Sequence, residues 1–522
     1  MSTEHGTVGR RTGWAPARHF TERSLLGLSA VVVIGLGFGL LLLLVRLHWE
    51  PLQRLDLAVA EGLNGLVAPH PLVVTVLEAI ARLGGRPIMM WLVAVVVVLL
   101  LIRRRTRLAI YLAVTGAGAL LLDPSLKALV GRLRPVVESP VATAPGNSFP
   151  SGHALGSMVV YGALLLVFLP AVAARRRRLA IGAAALVIAL IGGTRIALGV
   201  HYLSDVLAGW LLGAAWLGVT AYAFRVWRRE TGRPVGATLR GLEPEAGHDV
   251  TLAPDEDRVL PHPWAGAAVL IVGWVFTFGL LYVLGWAVTN RTEGTWIAAA
   301  DDGAVQGLQG LRTPVLDDLS YAWSKAGDTH LILAVSLIFC PLALALWRRW
   351  RPVLFVVLAL LGELSLFLAA SAAVDRPRPP AEHLDGQLPT SSFPSGHIAA
   401  TMCLYVSIAL LVVPRVRAWW RWLFVALAVI MPLGVALSRM YRGMHHPTDV
   451  LGAGVLTACW ITLLWFVLRP NADVGPAGRP NADVGEAGRS DTDGGEADRP
   501  SADGGEAGAG GDDRDPAEEP AR

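Results

Sequence analysis

Twelve stretches of this 522-residue chain are apolar for long enough to cross a bilayer. The hydrocarbon core is about 30 Å thick and takes about 20 helical residues to span. The runs lie near 24–46, 87–102, 108–126, 153–170, 179–198 and 203–224, and again near 264–286, 330–347, 353–373, 397–414, 422–438 and 450–468. In hydrocarbon every backbone N–H and C=O must be satisfied internally, which leaves the α-helix as the way to cross for runs of this length. The expected fold is an all-α integral membrane protein made of two tandem six-helix transmembrane bundles. Composition agrees: 53% of residues are hydrophobic and 16% are charged, against about 25% charged in a soluble domain.

Arginine placement sets the expected orientation, because cytoplasmic loops are enriched in Lys and Arg. Arg10 and Arg11 precede the first run; "RRRTR" (103–107), "RRRR" (175–178) and "RVWRR" (225–229) follow the second, fourth and sixth. In the second group the clusters are "RRWR" (348–351), "RVRAWWR" (415–421) and Arg469. All fall on one side if the spans alternate. Both termini are then cytoplasmic, and the loops 135–152 and 379–396 face outward from the cell membrane. Each group holds an even number of spans, so the two copies run parallel; inverted repeats need an odd number.

The expected boundaries are a cytoplasmic segment 1–23, a first domain 24–225, a Gly-, Pro- and charge-rich cytoplasmic linker 226–262, a second domain 263–468 and a tail 469–522. The tail repeats every ten residues ("RPNADVGPAG", "RPNADVGEAG") and holds 14 acidic and 6 basic residues, so it carries −8 and the rest of the chain +12. It has almost no large apolar side chain with which to build a core, and is expected to be disordered. No cleaved leader is expected, since the first run is long and no small-residue cleavage site follows it. Cys340, Cys403 and Cys459 all lie in apolar runs and suggest no disulfide framework.

Against this background one polar pentapeptide occurs twice. Phe-Pro-Ser-Gly-His stands at 149–153 and at 393–397, 244 residues apart. The pairs Arg134/Arg378, His153/His397, Arg195/Arg439, His201/His445 and Asp205/Asp449 keep the same offset. "EGLNGL" (61–66) also resembles "QGLQGL" (306–311), and duplication of a six-helix unit is the simplest account. All these charged and histidine positions fall at the outer ends of expected spans. A charge near the bilayer centre costs about 3 kcal/mol or more. One arginine at a helix end is explained by snorkelling, and one histidine by a polar contact. A set that recurs at fixed spacing points instead to a shared anionic site.

The residue types suit phosphate. Arginine forks match tetrahedral oxyanions. Ser151-Gly152 and Ser395-Gly396 offer a hydroxyl and open backbone N–H groups ahead of a helix N-terminus. His201 and Asp205, four apart, share one face if helical. An aspartate there holds the ring N–H, fixes the tautomer and leaves the other nitrogen as a nucleophile. Metal ligation is the rival use of His and Asp. The arginines already supply positive charge and no further carboxylates converge, so neither metal nor cofactor is expected. The expected partners are the bilayer and a membrane lipid, not nucleic acid, with the oligomeric state left open.

Lys127-x6-Arg134-Pro, Pro-Ser-Gly-His and Arg195-x5-His201-x3-Asp205 resemble the three signature motifs of the type 2 phosphatidic acid phosphatase superfamily. That group includes membrane lipid phosphatases, bacterial acid phosphatases and vanadium haloperoxidases. The resemblance covers about 20–225 and again 260–468. It implies that Lys127, Arg134 and Arg195 clamp the phosphate while Ser151 and Gly152 donate to it. It further implies that His201 attacks phosphorus to form a phosphohistidine, that Asp205 orients His201, and that His153 serves as general acid and then base, with no metal. Arg378, Ser395, Gly396, Arg439, His397, His445 and Asp449 are the second set.

Two departures stand out. Thr194 occupies a position where the family usually has serine, with the hydroxyl kept. Ser371 stands opposite Lys127, in a chain whose only lysines are Lys127 and Lys325. Loss of one transition-state donor costs about 10²- to 10³-fold in rate; Lys325 and Arg376 are the candidate replacements. The expected activity is hydrolysis of lipid phosphates or diphosphates (phosphatidic acid, phosphatidylglycerol phosphate or undecaprenyl diphosphate) at the outer face. The alternatives are a second domain degraded into a headgroup-binding site, or a chain that only binds or transports lipid. Twelve spans argue against a haloperoxidase.

Overall fold

The computed structural model describes residues 15–233, 240–254, 256, 259, 260, 262–386 and 390–474. The first half contains α1 (Ala15–Arg46), α2 (Glu50–Val67), α3 (Pro71–Leu83), α4 (Arg86–Ile102), α5 (Thr106–Val130), α6 (Gly152–Phe168), α7 (Arg177–Ala197) and α8 (Leu203–Glu230). A short α9 (Gly247–Val250) precedes the second half. That half contains α10 (Pro263–Asn290), α11 (Trp296–Gln309), α12 (Pro314–Ala326), α13 (Thr329–Trp347), α14 (Arg351–Val374), α15 (Gly396–Arg415), α16 (Arg421–Tyr441) and α17 (Pro447–Leu468). Among the described residues, eleven helices are long and apolar enough to cross a membrane. A twelfth span is counted if α3 and α4, bent by 40° at their junction, are taken as one. The chain is an all-α, multi-pass membrane protein of two six-span bundles.

Within the two halves, four described helices lie outside the twelve apolar runs: α2, α3, α11 and α12. They are short and amphipathic, and α2 and α11 interrupt their apolar residues with Asp, Glu, Asn and Gln. Helix α2 buries Asp56, Ala60 and Asn64 on one face, four residues apart, and α11 buries Asp301 and Val305 the same way. These polar faces turn toward the site, not toward lipid.

The linker is folded where it is described. Helix α8 runs to Glu230, and its fully buried Arg228 meets Glu243 Oε1 at 3.1 Å and Glu245 Oε1 at 2.5 Å. Leu242, Ala246 and Val250 pack into an apolar cluster with Leu99, Leu100 and Phe224. Burial of such side chains outweighs the polar composition that reads as a hinge. Arg103 binds Asp249 O (2.7 Å) and Leu252 O (2.8 Å), and also reaches Leu344 O on α13 at 3.3 Å. The C-terminal ends of α4 and α13 therefore meet. The expected disorder of the tail lies outside the described residues from 475 on; its first residues are held by Arg415, which binds Pro470 O at 2.8 Å and the Asn471 side chain.

The pentapeptide is locked against the following helices. Ser151 N donates to Asp205 O at 2.9 Å. A Cβ on Gly209 would stand 2.7 Å from Ser151 O and 3.0 Å from Leu155 N, so only glycine lets α8 lie this close. The site thus assembles from the C-terminal ends of α5 and α7 and the N-terminal ends of α6 and α8. The arginine clusters lie at the opposite ends of these helices.

Candidate active sites

In the first half, Asp205 is the third residue of α8. Its side chain reaches back so that Oδ2 accepts from Tyr202 N at 2.9 Å and faces His201 Nδ1 at 3.3 Å. His201 lies in the turn before α8, so the pair meets through the helix cap and not along a shared helical face. A carboxylate can only accept, which assigns the proton to Nδ1 and leaves a lone pair on Nε2. Arg134 Nη1 donates to that nitrogen at 3.2 Å and to Val200 O at 2.7 Å. Burial lowers the His201 pKa more than Asp205 restores it, so the ring stays neutral.

His153, the second residue of α6, interacts electrostatically with Arg195, His201 and Lys127. Arg195, in the last turn of α7, is buried; its side chain makes no hydrogen bond or ion pair among the described residues, and its buried Nε has no partner. The Ser151 hydroxyl, also buried, likewise lacks a partner. Buried donors left unsatisfied are rare, and here two of them sit beside a histidine pair. Lys127 Nζ lies 3.0 Å from Asp123 Oδ1, and Arg86 Nη2 lies 2.5 Å from Asp123 Oδ2. A Cβ on Gly152 would stand 2.7 Å from Asp123 Oδ1, so the glycine is what lets this carboxylate approach the start of α6.

From Arg86, Asp123 and Gly152 a cavity of about 330 Å³ runs between α4, α5 and α6, past Met89, Val93, Ala113, Gly116 and Ala117. Apart from its charged end its walls are apolar.

The second half keeps the frame and changes the contents. The Phe149–Pro150 and Phe393–Pro394 bonds are both cis, and Ser395 Oγ, like Ser151 Oγ, is buried without a partner. His397 interacts electrostatically with Arg439 and His445. Arg378 binds Met444 O at 2.8 Å, as Arg134 binds Val200 O. His445 Nδ1, however, donates to Ser392 O at 2.8 Å and stands 3.7 Å from Asp449 Oδ2. Asp449 Oδ2 is taken instead by His446 N (2.8 Å), His446 Nδ1 (3.3 Å) and Ser392 Oγ (2.5 Å). The His445 tautomer is the same as that of His201, but a carbonyl sets it.

The clamp differs more. Asp123 and Lys127 are replaced together by Phe367 and Ser371, and the Phe367 ring stands 3.0 Å from where a Cβ on Gly396 would be. Val357, Leu360 and Leu361 stand where Ala113, Gly116 and Ala117 line the first cavity. A carboxylate absent from the first half enters: Asp385 Oδ2 lies 2.5 Å from Arg439 Nη1, and its Oδ1 accepts from Arg442 Nε at 2.9 Å. Burial raises the Asp385 pKa, but Arg442 and Arg439 together outweigh it and hold the group ionised. The counterparts of Asp385 and Arg442 are Val141 and Leu198. Neither candidate replacement cation is free. Lys325 pairs with Asp328 at 3.0 Å, and Arg376 pairs with Asp301 and Asp449.

A family model described as the PAP2 superfamily matches residues 106–229 and again 331–472, just over half of the chain. The chain belongs to the PAP2 superfamily. Its two matches coincide with the two sites. Among PAP2 relatives, phosphatidylglycerophosphatase B of Bacillus subtilis (strain 168) is 27% identical over 176 residues, 33% of this chain and 85% of that protein. An undecaprenyl-diphosphatase of Sulfolobus acidocaldarius is 32% identical over 155 residues, 28% of this chain and 68% of that protein. The crystal structure of a transmembrane PAP2 type phosphatidylglycerolphosphate phosphatase from Bacillus subtilis is 24% identical, with a TM-score of 0.34 over 36% of this chain and 93% of that one.

Sequence reasoning passed over Asp56, Asp123 and Arg132 in the first half and Asp301 in the second. A signal existed for one pair: Asp56 and Asp301 each stand five residues before the repeated "EGLNGL" and "QGLQGL". Asp385 carries no such mark, because its first-half counterpart, Val141, is not a carboxylate.

Proposed function

We propose that the first half hydrolyses lipid phosphates or diphosphates at the extracytoplasmic face, without a metal. One observation carries this reading: His201 is held by Asp205 through Nδ1 while Nε2 faces the arginine clamp. Nε2 attacks phosphorus, and the bond from phosphorus to the lipid oxygen breaks. His153 protonates that leaving oxygen, then accepts a proton from the water that attacks phosphorus, breaks its bond to His201 Nε2 and releases phosphate. Lys127, Arg134 and Arg195 stabilise the equatorial oxygens, with Ser151 Oγ and Gly152 N as further donors. The apolar cavity that starts at Asp123 and Gly152 suits the lipid tail. Lipid phosphates of the phosphatidic acid, phosphatidylglycerol phosphate and undecaprenyl diphosphate kinds fit this description, and the last two agree with the relatives' names.

For the second half the clamp favours a different reading. Asp385 places a carboxylate on Arg439, where the substrate anion would bind, and Phe367 and Ser371 remove the Asp123–Lys127 pair. Arg378, Ser395, Gly396, His397, His445 and Asp449 then form a site that does not turn over. Phosphate release from lipid phosphates in detergent tests both readings. His201→Ala is expected to lose about 10³-fold or more, and His445→Ala to stay within about twofold of wild type. Full activity in both single variants and in the double variant overturns the assignment.

A further inference from the structure

Outside the three motifs, one fully buried carboxylate is wired to the site. Asp56, on α2, accepts from Arg132 Nη2 at 2.7 Å and from Ser204 Oγ at 2.5 Å through Oδ2, and from Ser204 N at 2.9 Å through Oδ1. The other arm of Arg132, Nη1, donates to Asp205 Oδ1 and to Ser204 Oγ, both at 2.7 Å. The guanidinium also stacks over the Tyr202 ring at 4.2 Å. The remaining oxygen of Asp205 is the one that faces His201 Nδ1.

We propose that Asp56 is a positioning residue for the phosphoryl transfer, acting through Arg132 and Asp205 on His201. The inference rests on His201 being the nucleophile. A planar guanidinium gripped at both ends cannot rotate, so Asp205 Oδ1 is pinned and Oδ2 is aimed at the imidazole. Charge matters as much as direction. As Nε2 forms its bond to phosphorus the ring becomes cationic, and Asp205 must answer that charge. Were Arg132 balanced by Asp205 alone, the guanidinium would spend that negative charge; Asp56 supplies the second carboxylate and leaves Asp205 available to the ring. Asp56 also holds the Ser204 N–H in the first turn of α8, which carries Asp205.

The second half supplies an internal yardstick. Asp301 grips Arg376 Nη2 at 2.8 Å and Thr448 N at 3.1 Å, and Arg376 binds Asp449. The brace is the same, but its far end meets His446 and Ser392, not His445. Asp301→Asn therefore measures what such a brace contributes to the fold.

The test uses the full chain in detergent with phosphatidic acid in mixed micelles, recording thermal unfolding, kcat and KM for wild type, Asp56→Asn, Asp301→Asn and His201→Ala. Both Asp→Asn variants are expected to lower the unfolding midpoint by similar amounts. Only Asp56→Asn is expected to lower kcat per folded chain, by about 10- to 100-fold, with KM within about twofold. If Asp56→Asn does not fold, Arg132→Lys is read the same way, since an ammonium keeps the charge but cannot bridge both carboxylates. A kcat per folded chain equal to wild type, or an equal loss in Asp301→Asn, reduces Asp56 to a structural brace. An inactive His201→Ala alongside that result overturns this inference alone. A fully active His201→Ala removes the nucleophile, and the inference with it.

Discussion

The carboxylate of Asp385 lies 2.5 Å from the guanidinium of Arg439, whereas Arg195, at the equivalent position, meets no carboxylate among the described residues. A charge-assisted pair of this kind competes directly with an incoming phosphate. Asp385→Ala is therefore expected to add a second phosphate-binding event per chain, at least about tenfold tighter at that site than in wild type. Isothermal titration of inorganic phosphate into the detergent-solubilised protein reads it; an unchanged binding curve counts against a self-occupied clamp.

His201 and His445 both sit in turns outside the spans, and burial lowers the pKa of each. The neutral form is the one the fold favours. As pH falls below the ordinary histidine value of 6.5, the unfolded chain takes up these protons before the folded one does, so stability falls in acid. His201, the proposed nucleophile, by contrast resists that protonation. Ring nitrogen NMR of labelled histidines should show both rings titrating below the ordinary histidine value; titration of either at or above it would contradict the burial argument.

Gly116 lines the apolar cavity of the first half, and Leu360 stands at its counterpart in the second. Gly116→Leu should shorten the space for a lipid tail without touching the phosphate end. The expected outcome is a KM raised about tenfold for a long-chain lipid phosphate and little changed for a short, water-soluble one. An equal effect on both substrates would place the tail elsewhere.

Both sites are proposed to open on the outer face. Reporter fusions at positions 140 and 385, in the two site-bearing loops, should both read extracytoplasmic. A cytoplasmic signal at either would break the arrangement of parallel copies, which also rests on the meeting of the α4 and α13 C-terminal ends near Arg103 and Leu344.

The bundle was legible residue by residue, because lipid imposes one rule along the whole length of a span: apolar side chains and an internally bonded backbone. The duplicated motifs were legible too, since phosphate chemistry needs the same few residue types and both copies keep their spacing. Helices α2 and α11 were not legible. Their buried aspartates look like surface residues until Arg132 and Arg376 are brought against them.

By itself, the sequence determined that this chain spans a membrane in two similar halves and carries two sets of residues of the types that suit phosphate. Only the tertiary structure decided that the two sets differ in their partners. Whether a guanidinium is free for a ligand depends on which carboxylate the folded chain delivers to it, and Asp385, from a loop with no counterpart signal, is delivered to Arg439, whereas Arg195 receives none among the described residues. Spacing along a chain records what a site is made of; charge balance within it is a property of residues far apart in sequence that meet only on folding.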